Sequence, residues 1–320
     1  MDCYLGIDVG SVSTKLALVD SDDQIVFKTY LKTAGRPIEA LKQAMSEATF
    51  KDCGNVLGAG ATGSGRQLAG VIAGADVIKN EITAHAVAAG KTIPGVGTVI
   101  EIGGQDSKLI QLADGVVCDF AMNTVCAAGT GSFLDRQAER LGIPIEEFGR
   151  VALRSESPVR IAGRCAVFAE SDMIHKQQSG HSVEDIASGL CEALVRNYLN
   201  NLAKGKQLKP PVVFQGGVAA NTGMVRAFER ALGYDITVPE HYDVMGAYGA
   251  ALLAKKHMEA DGRPTAFKGW DAACGNYSTQ SFECSGCSNV CEIIRVLKDG
   301  NPIQCWGGRC SKWEDVNFCS

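Results

Sequence analysis

The chain has 320 residues, and 31 Lys and Arg against 36 Asp and Glu give it a formal net charge of −5. Because nucleic acid is bound through an excess of basic side chains, nucleic acid is not an expected partner. With 46% apolar and 21% charged residues, the composition excludes a disordered chain and a coiled coil. The length predicts about two domains.

The cysteine content points to metal or redox chemistry. No segment approaches the run of about 18 apolar residues that a membrane-spanning helix needs, and residues 1–8 lack the basic start of a secretion signal. We therefore expect a cytoplasmic protein without a membrane partner. In that setting 13 cysteines are more typical of iron–sulfur or zinc ligands than of structural disulfides.

A strand and turn pattern occurs twice in the chain. Residues 4–31 predict a three-stranded antiparallel meander, and residues 98–120 repeat its order of apolar runs, glycines and charges. Superposing the two meanders aligns Asp8 with Glu101, Gly10 with Gly103 and Lys15 with Lys108. This repetition predicts a duplicated α/β domain with a cleft between the two copies.

Helical periodicity and composition predict the rest of the organisation. Helices are expected at 38–49, 131–141, 166–178, 183–204 and 244–257, with short βα units at 55–68 and 211–231. In the helix 183–204 an apolar residue recurs every four positions from Ile186 to Leu202, which predicts one buried face that packs against a sheet. The last helix is followed by a polar, glycine-bearing linker at 259–268. The expected domains are 1–96 with 241–258, then 97–240 with the candidate cluster cysteines, and a small Cys-rich C-terminal extension at 259–320.

Four glycine clusters follow apolar runs, at residues 8–11, 101–104, 215–218 and 245–250. Glycines there expose backbone N–H groups that can surround a phosphate, although a single cluster is more often a tight turn. The sequence has neither a P-loop nor a Rossmann glycine motif. The order of the four clusters resembles the actin, sugar-kinase and heat-shock-chaperone ATPase superfamily.

This resemblance implies two ribonuclease-H-like domains around an interdomain nucleotide cleft. Residues 8–15 and 101–108 would be the two phosphate hairpins, residues 214–221 the adenosine loop, and residues 245–251 a helix near it. The residues implied to bind the nucleotide are Gly10, Ser11, Ser13, Thr14, Lys15, Gly103, Gly104, Ser107, Lys108, Gly129, Thr130, Gly131, Gly216, Gly217, Ala220, Asn221, Gly246 and Gly249.

ATP hydrolysis needs carboxylates that hold Mg²⁺ and orient the attacking water. Asp8 and Glu101, at matched strand ends, are the catalytic candidates, and either of them can instead only cap a turn. Glu101 can act directly or through water. Gln105 and Asp106 complete the polar groups of the second hairpin, where Gln105 can position water. Lys15 and Lys108 are expected to neutralise phosphate charge.

Two cysteine motifs indicate a family more specifically than the glycine clusters do. Residues 123–134, around Cys126, and residues 164–171, around Cys165, closely resemble the ATP-dependent activators of 2-hydroxyacyl-CoA dehydratases and related low-potential reductases; the resemblance spans residues 3–257. It implies a 4Fe-4S cluster on the two-fold axis of a homodimer, with Cys126 and Cys165 supplied by each chain. Each cysteine precedes a predicted helix, whose dipole would stabilise an anionic cluster.

The resemblance implies an ATP-driven one-electron donor that is charged by a reduced ferredoxin or flavodoxin. Its partner would be a 2-hydroxyacyl-CoA dehydratase, a benzoyl-CoA-type reductase or a reductase with a double-cubane cluster. Two alternatives stay open. One is a small-molecule kinase of the same superfamily, and the other is a regulatory or chaperone-like ATPase with a zinc-binding tail.

The remaining cysteines and several polar residues have alternative interpretations. Glu81 and His85, one helical turn apart, predict an ion pair or a hydrogen bond rather than a metal site. Arg160, Arg164 and Glu170 can tune the cluster or form surface salt links. Cys3, Cys53, Cys118 and Cys191 are expected to be ordinary thiols. Cys284, Cys287, Cys291, Cys305 and Cys310 can bind zinc or a second iron–sulfur cluster, or stay as reduced thiols.

Overall fold

The computed structural model describes residues 2–49, 54–123 and 126–313; Cys53 lies outside them. The chain divides into two compact units, residues 1–79 with 250–320 and residues 80–249. In this division residues 80–96 lie with the second unit and the tail lies with the first, while the predicted domain boundaries stay a prediction. Among the described residues, no helix is long and apolar enough to cross a membrane.

The first unit contains a five-stranded sheet in the order β3-β2-β1-β4-β5. Its strands are β1 (Asp2–Val9), β2 (Ser13–Val19), β3 (Ile25–Lys32), β4 (Asn55–Thr62) and β5 (Val77–Ile78). The first three form an antiparallel meander, and β4 runs parallel to both β1 and β5. The meander predicted for residues 4–31 is therefore confirmed.

Burial follows position in this sheet. β1 is buried from Cys3 to Val9 because both of its faces are covered, whereas the edge strand β3 alternates between half-buried and exposed residues. The unit's helices include α1 (Pro37–Thr49) and α2 (Arg66–Ala73). Leu41 of α1 and Ile72 of α2 lie in the apolar cluster that also contains Leu5 and Ile7 of β1.

The Cys-rich tail folds as a small antiparallel sheet in the order β10-β11-β12. Its strands are β10 (Tyr277–Glu283), β11 (Glu292–Lys298) and β12 (Asn301–Trp306). Ala272, Ala273 and Tyr277 belong to the same apolar cluster as Leu41 and Ile72. The tail therefore shares the hydrophobic core of the first unit.

Asp76 fastens the segment that leads into the tail. Its carboxylate accepts hydrogen bonds from the backbone N–H of Ala59 at 2.8 Å and of Ala266 at 2.6 Å, and from the Thr265 hydroxyl at 2.7 Å. The polar linker predicted from composition is thus held against β4.

The second unit contains a four-stranded sheet in the order β8-β7-β6-β9. Its strands are β6 (Thr98–Ile102), β7 (Ser107–Ala113), β8 (Val116–Asn123) and β9 (Val212–Gln215). β6, β7 and β8 form the predicted antiparallel meander, and β9 runs parallel to β6. The order and the strand directions are those of β3-β2-β1-β4 in the first unit.

The helices of this unit and the helix that follows them are α3 (Glu81–Thr92), α4 (Gly131–Leu141), α5 (Ile145–Leu153), α6 (Ala166–Gln178), α7 (Val183–Leu202), α8 (Thr222–Leu232) and α9 (Met245–Asp261). The predicted bounds of α4 and α6 are confirmed. α5 was not predicted, because its periodic stretch of nine residues is too short to stand out.

The apolar stripe of α7 is buried as predicted, from Ile186 to Leu202. The expectation of a single buried face was too narrow, however, since Ala187 and Val195 are buried as well. The cause is that α7 packs against α5, α6 and α8 in addition to the sheet. It is therefore the central helix of its unit.

Candidate functional site

The first predicted phosphate hairpin joins β1 to β2. Lys15 lies directly opposite Asp8 across the two strands, and its Nζ is 3.0 Å from Asp8 Oδ2. The Asp8 side chain is buried, while 19% of the Lys15 side chain stays exposed. A carboxylate and an ammonium group thus lie side by side next to the turn of the hairpin. There a phosphate can bind the ammonium group, and the counter-ion of the phosphate can bind the carboxylate.

The predicted binding residues of this hairpin differ in their accessibility. Ser11 is exposed, whereas Ser13 and Thr14 are buried. The Thr14 hydroxyl lies 3.0 Å from the hydroxyl of Thr33, which in turn donates to the carbonyl of Gly10 at 2.9 Å. The buried Thr14 side chain therefore stabilises the turn through its contact with Thr33.

A loop that was not among the predicted site residues faces Asp8 in the same unit. Thr62, the last residue of β4, pairs with Asp8 across the parallel strands. Gly63 follows with a φ of 95°, and a Cβ there would lie 2.6 Å from Asp8 Oδ1 and 2.4 Å from the Val9 carbonyl oxygen. Only glycine fits such an approach. The glycines of residues 63–65 directly after an apolar strand were the available sequence signal.

The second predicted hairpin joins β6 to β7 and repeats this register. Lys108 lies directly opposite Glu101, and its Nζ is 3.0 Å from Glu101 Oε2. Asp106 Oδ2 lies 2.8 Å from the same ammonium group, and Glu81 Oε2 of α3 lies 3.3 Å from it. One positive charge is thus surrounded by three carboxylates.

Lys108 is far less accessible than Lys15, with only 1% of its side chain exposed. Burial alone would lower the pKa of Lys108, but attraction to Glu101, Glu81 and Asp106 outweighs it, so the pKa is raised above its usual value. The ammonium group stays charged at neutral pH. Its nearest charged groups are these carboxylates, which indicates that it fixes the carboxylates of the hairpin.

The loop after β9 completes the arrangement in the second unit. Gln215 pairs with Glu101 across the parallel strands, and Gly216 follows with a φ of 90°. A Cβ on Gly216 would lie 2.8 Å from Glu101 Oε1. The acid of each unit therefore has one oxygen on the hairpin lysine and the other facing a positive-φ glycine after the parallel strand.

Other predicted residues of the adenosine loop lie beside Gly216. Gly217 and Ala220 are exposed, and Asn221 is buried. The Asn221 side chain accepts from the backbone N–H of Met224 at 3.1 Å and so caps α8. Gly249 of α9 packs on the backbone of Ala84, since a Cβ there would lie 1.9 Å from the Ala84 carbonyl oxygen.

Helix α4 begins on the second hairpin. The backbone N–H of Gly131 donates to the carbonyl of Gly103 at 2.8 Å, and that of Ser132 donates to the carbonyl of Gly104 at 2.9 Å. Two N–H groups that an isolated helix end would leave unpaired are therefore satisfied by hairpin carbonyls. Thr130 is buried, and its hydroxyl donates to the Ala127 carbonyl. A displacement of the hairpin would thus move the start of α4.

The structure brings the two predicted cluster cysteines into neighbouring segments. Cys126 precedes the short 3-10 turn 127–129 that leads into α4, and Cys165 directly precedes α6. The Cys126 thiol donates to the carbonyl of Arg164, the residue before Cys165, at 3.7 Å. Both thiols are partly exposed.

Polar groups support these cysteines. The Asn123 side chain bonds both the N–H and the carbonyl of Cys126, each at 2.9 Å, and the Asn197 amide approaches the Cys126 sulfur at 3.8 Å. N–H groups directed at sulfur are typical of iron–sulfur sites. Two thiols with such support fit half of the ligand set of a 4Fe-4S cluster.

Glu170 connects the two cysteine-bearing helices. Its carboxylate on α6 pairs with Arg140 of α4 at 2.7 Å and with Arg136 of α4 at 3.4 Å. Of the two interpretations of Glu170, the structure therefore provides the salt link.

The tail cysteines are placed differently from one another. Cys284 is buried, and its sulfur accepts from the N–H of Gly286 at 3.4 Å and from Trp313 Nε1 at 3.2 Å. These bonds, in that order, with a contribution from Lys312, lower the pKa of the Cys284 thiol. Cys287 and Cys310 are exposed, Cys291 is half-buried and Cys305 is disulfide-bonded. In the described part of the chain, no three His, Cys, Asp or Glu side chains converge as metal ligands.

Comparison with known proteins relates this chain to a family of ATPases. The model of the BadF/BadG/BcrA/BcrD ATPase family matches residues 5–254. The (R)-2-hydroxyglutaryl-CoA dehydratase activating ATPase of Acidaminococcus fermentans is 37% identical over 259 residues, which cover 79% of this chain and 96% of that protein.

Solved structures give the same relationship. The activator of the 2-hydroxyisocaproyl-CoA dehydratase from Clostridium difficile with bound ADPNP has a TM-score of 0.73 and 32% identity, covering 81% of this chain and 97% of that one. A ROK family glucokinase from Streptomyces griseus, at 16% identity and a TM-score of 0.52 over 79% of this chain and 99% of that one, shares the fold alone. The chain belongs to the BadF/BadG/BcrA/BcrD ATPase family.

Proposed function

We propose that this protein is an ATP-hydrolysis-driven, low-potential one-electron donor to a partner iron–sulfur reductase or 2-hydroxyacyl-CoA dehydratase. The observation that carries the proposal is the start of α4 on the second hairpin, through Gly131 and Gly103, with Cys126 five residues before Gly131. One continuous segment thereby links a phosphate hairpin to a candidate cluster ligand.

In this proposal the two hairpins bind the phosphates of ATP or ADP together with Mg²⁺. Asp8 and Glu101 hold the metal ion through water or directly, and Gln105 and Asp106 act on the attacking water. Lys15 contacts phosphate, since its ammonium group is partly exposed. The homologous activator with bound ADPNP supports nucleotide binding.

Cys126 and Cys165 would bind a 4Fe-4S cluster together with the same two cysteines of a second copy. A cluster of this kind accepts and releases one electron, which a ferredoxin or flavodoxin would supply. ATP and ADP must favour different positions of the hairpin, because a ligand shifts a conformational equilibrium only by its difference in affinity for the two states. The hydrogen bonds of Gly131 and Ser132 would carry that difference to Cys126.

We further infer that the two units are copies of one ribonuclease-H-like domain. The shared strand order and the common placement of Asp8 with Lys15 and of Glu101 with Lys108 support this inference. The tail lies beyond the match to the family model, which ends at residue 254, and a zinc or second-cluster role for it stays a proposal of its own.

The test is the content of iron, acid-labile sulfide and zinc in protein purified without oxygen. One four-iron cluster per dimer gives about two irons per chain. Cys126→Ser and Cys165→Ser should each abolish that iron and leave ATP binding within about twofold of wild type, because both cysteines lie in segments outside the two hairpins. Cys118→Ser, at another exposed thiol, is the matched control.

Other outcomes would redirect the proposal. About six irons per chain would place a second cluster in the tail, and zinc near one with iron near two would make the tail a structural zinc site. Anaerobic protein without iron would contradict the electron-donor proposal. A phosphate-acceptor screen would then test the kinase alternative.

A further inference from the structure

Helix α3 contributes two polar side chains to the second unit. Its first turn is fixed by Asn80, whose side chain accepts from the backbone N–H of Thr83 at 2.9 Å. Glu81 and His85 are one helical turn apart and therefore lie on the same face of α3. From the sequence, the two side chains are expected to pair with each other.

Each of these side chains contacts a strand next to β6. Glu81 Oε2 lies 3.3 Å from Lys108 Nζ on β7, and His85 Nδ1 lies 2.7 Å from Gln215 Nε2 on β9. Lys108 and Gln215 are the residues that pair with Glu101 from its two sides in the sheet. One face of α3 therefore fixes both strand neighbours of Glu101.

These contacts determine the surroundings of both oxygens of Glu101. Oε2 accepts from Lys108, and Oε1 faces Gly216, which directly follows Gln215. Glu101, Lys108, Gln215 and His85 are all buried. Polar interactions in such an environment are strong, because little water competes with them.

We propose that Glu81 is a positioning residue for ATP hydrolysis, which acts through Lys108 on Glu101 and Asp106. The proposal rests on the proposed ATPase function. Glu81 holds the Lys108 ammonium group in place, and it raises the number of carboxylates around that group to three. The excess negative charge favours a divalent cation at the hairpin, and His85 fixes the opposite neighbour of Glu101.

The test is Glu81→Gln in the full-length protein, which removes a charge and keeps the shape of the side chain. ATPase activity and the binding of ADP are each measured as a function of Mg²⁺ concentration. We expect the half-saturating Mg²⁺ concentration to rise about fivefold in both measurements, the effect of losing one partly screened charge interaction. ADP binding in the presence of EDTA should stay within about twofold of wild type. Glu81→Asp, which keeps the negative charge on a shorter side chain, should bring the half-saturating Mg²⁺ concentration part of the way back to the wild-type value.

Glu184→Gln is the matched control. Glu184 also lies in the first turn of a helix and pairs with a cation, Arg154, at 3.3 Å, but this pair is solvent-exposed and does not include a hairpin residue. Its Mg²⁺ dependence should equal that of wild type. The melting temperature of each variant separates positioning from a merely structural role.

The outcomes separate this inference from the proposed function. If wild type hydrolyses ATP and Glu81→Gln lowers the melting temperature without moving either Mg²⁺ curve, Glu81 is only structural and the inference is wrong. If wild type neither binds nor hydrolyses nucleotide, the proposed function itself fails, and the inference fails with it.

Discussion

The N–H of Gly131 donates to the carbonyl oxygen of Gly103 at 2.8 Å, so a helix that follows Cys126 begins on a predicted phosphate hairpin. This contact links the hairpin that is predicted to bind phosphate to the segment that carries the predicted cluster ligand Cys126. Its geometry is tight, because a Cβ on Gly131 would lie 3.0 Å from that carbonyl oxygen and 3.0 Å from Val218 Cγ2.

Gly131→Ala should therefore uncouple the hairpin from Cys126. In cluster-free protein, we expect the alkylation rate of Cys126, followed by peptide mass spectrometry, to differ between ATP analogue and ADP in wild type by about fivefold or more. With each nucleotide at a saturating concentration, the variant should bring this ratio close to one. Gly90→Ala is the control, since a Cβ on Gly90 has no neighbour within 4 Å. An unchanged ratio in Gly131→Ala would show that the contact carries no signal.

Asp8→Asn should stop turnover and preserve the rest of the protein. Asp8 lies beside Lys15 and Gly63 at the end of β1. In the proposed function it holds the metal ion, and loss of a charged group from a reacting centre typically costs about 100-fold in rate or more. Iron content should be that of wild type, because Cys126 and Cys165 lie in the other unit. ATPase activity within threefold of wild type would remove Asp8 from the mechanism.

Lys108→Met should destabilise the protein far more than Lys15→Met. Removing the buried Lys108 ammonium group takes the shared cation away from three carboxylates, those of Glu101, Asp106 and Glu81, a loss that costs about 3–5 kcal/mol. Removing the partly exposed Lys15 takes a cation away from the Asp8 carboxylate alone, so its cost should be smaller. Denaturant unfolding of both variants measures the difference. Equal losses in the two variants would contradict the contrast in burial.

The same variants provide a test of pH dependence. The pKa of Lys108 is raised in the folded protein, so its stabilising contribution is complete below the unfolded pKa of about 10.4. It is lost only as the pH rises through the higher folded pKa. The difference in unfolding free energy between wild type and Lys108→Met should therefore be the same at pH 7 and pH 9. A difference that grows between pH 7 and pH 9 would mean that the pKa of Lys108 is lowered in the folded protein, because the unfolded state would then bind more protons than the folded state.

Asp76→Ala should loosen the tail from the first unit. The change leaves the N–H groups of Ala59 and Ala266 and the Thr265 hydroxyl without their acceptor, and each unmade bond costs about 1 kcal/mol or more. We expect a lower melting temperature and faster proteolytic cleavage within residues 262–268. Asp261→Ala, which removes only exposed pairs with Arg263 and His257, should leave cleavage unchanged. Resistance of Asp76→Ala to cleavage would show that core packing alone holds the tail.

Local patterns predicted much of this structure. The two meanders and the bounds of α4 and α6 follow from short-range periodicity and from the internal repeat. The family was predictable from the motifs around Cys126 and Cys165, because the residues of each motif are close together in the sequence.

Long-range contacts were not predictable in the same way. Glu81 of α3 contacts Lys108 of β7, and no local signal in the sequence connects the two residues. The tail followed a polar, glycine-bearing segment, which suggested an appended extension. That Tyr277 and Ala272 complete the core around Leu41 depends on tertiary packing, which sequence periodicity does not encode.

The sulfur chemistry of the chain is divided between its two compact units. Cys126 and Cys165 lie in the second unit, whereas Cys284 and its neighbours belong to the first. A substitution among the tail thiols therefore leaves unchanged the second-unit groups that contact Cys126, which are Asn123, Asn197 and the carbonyl of Arg164.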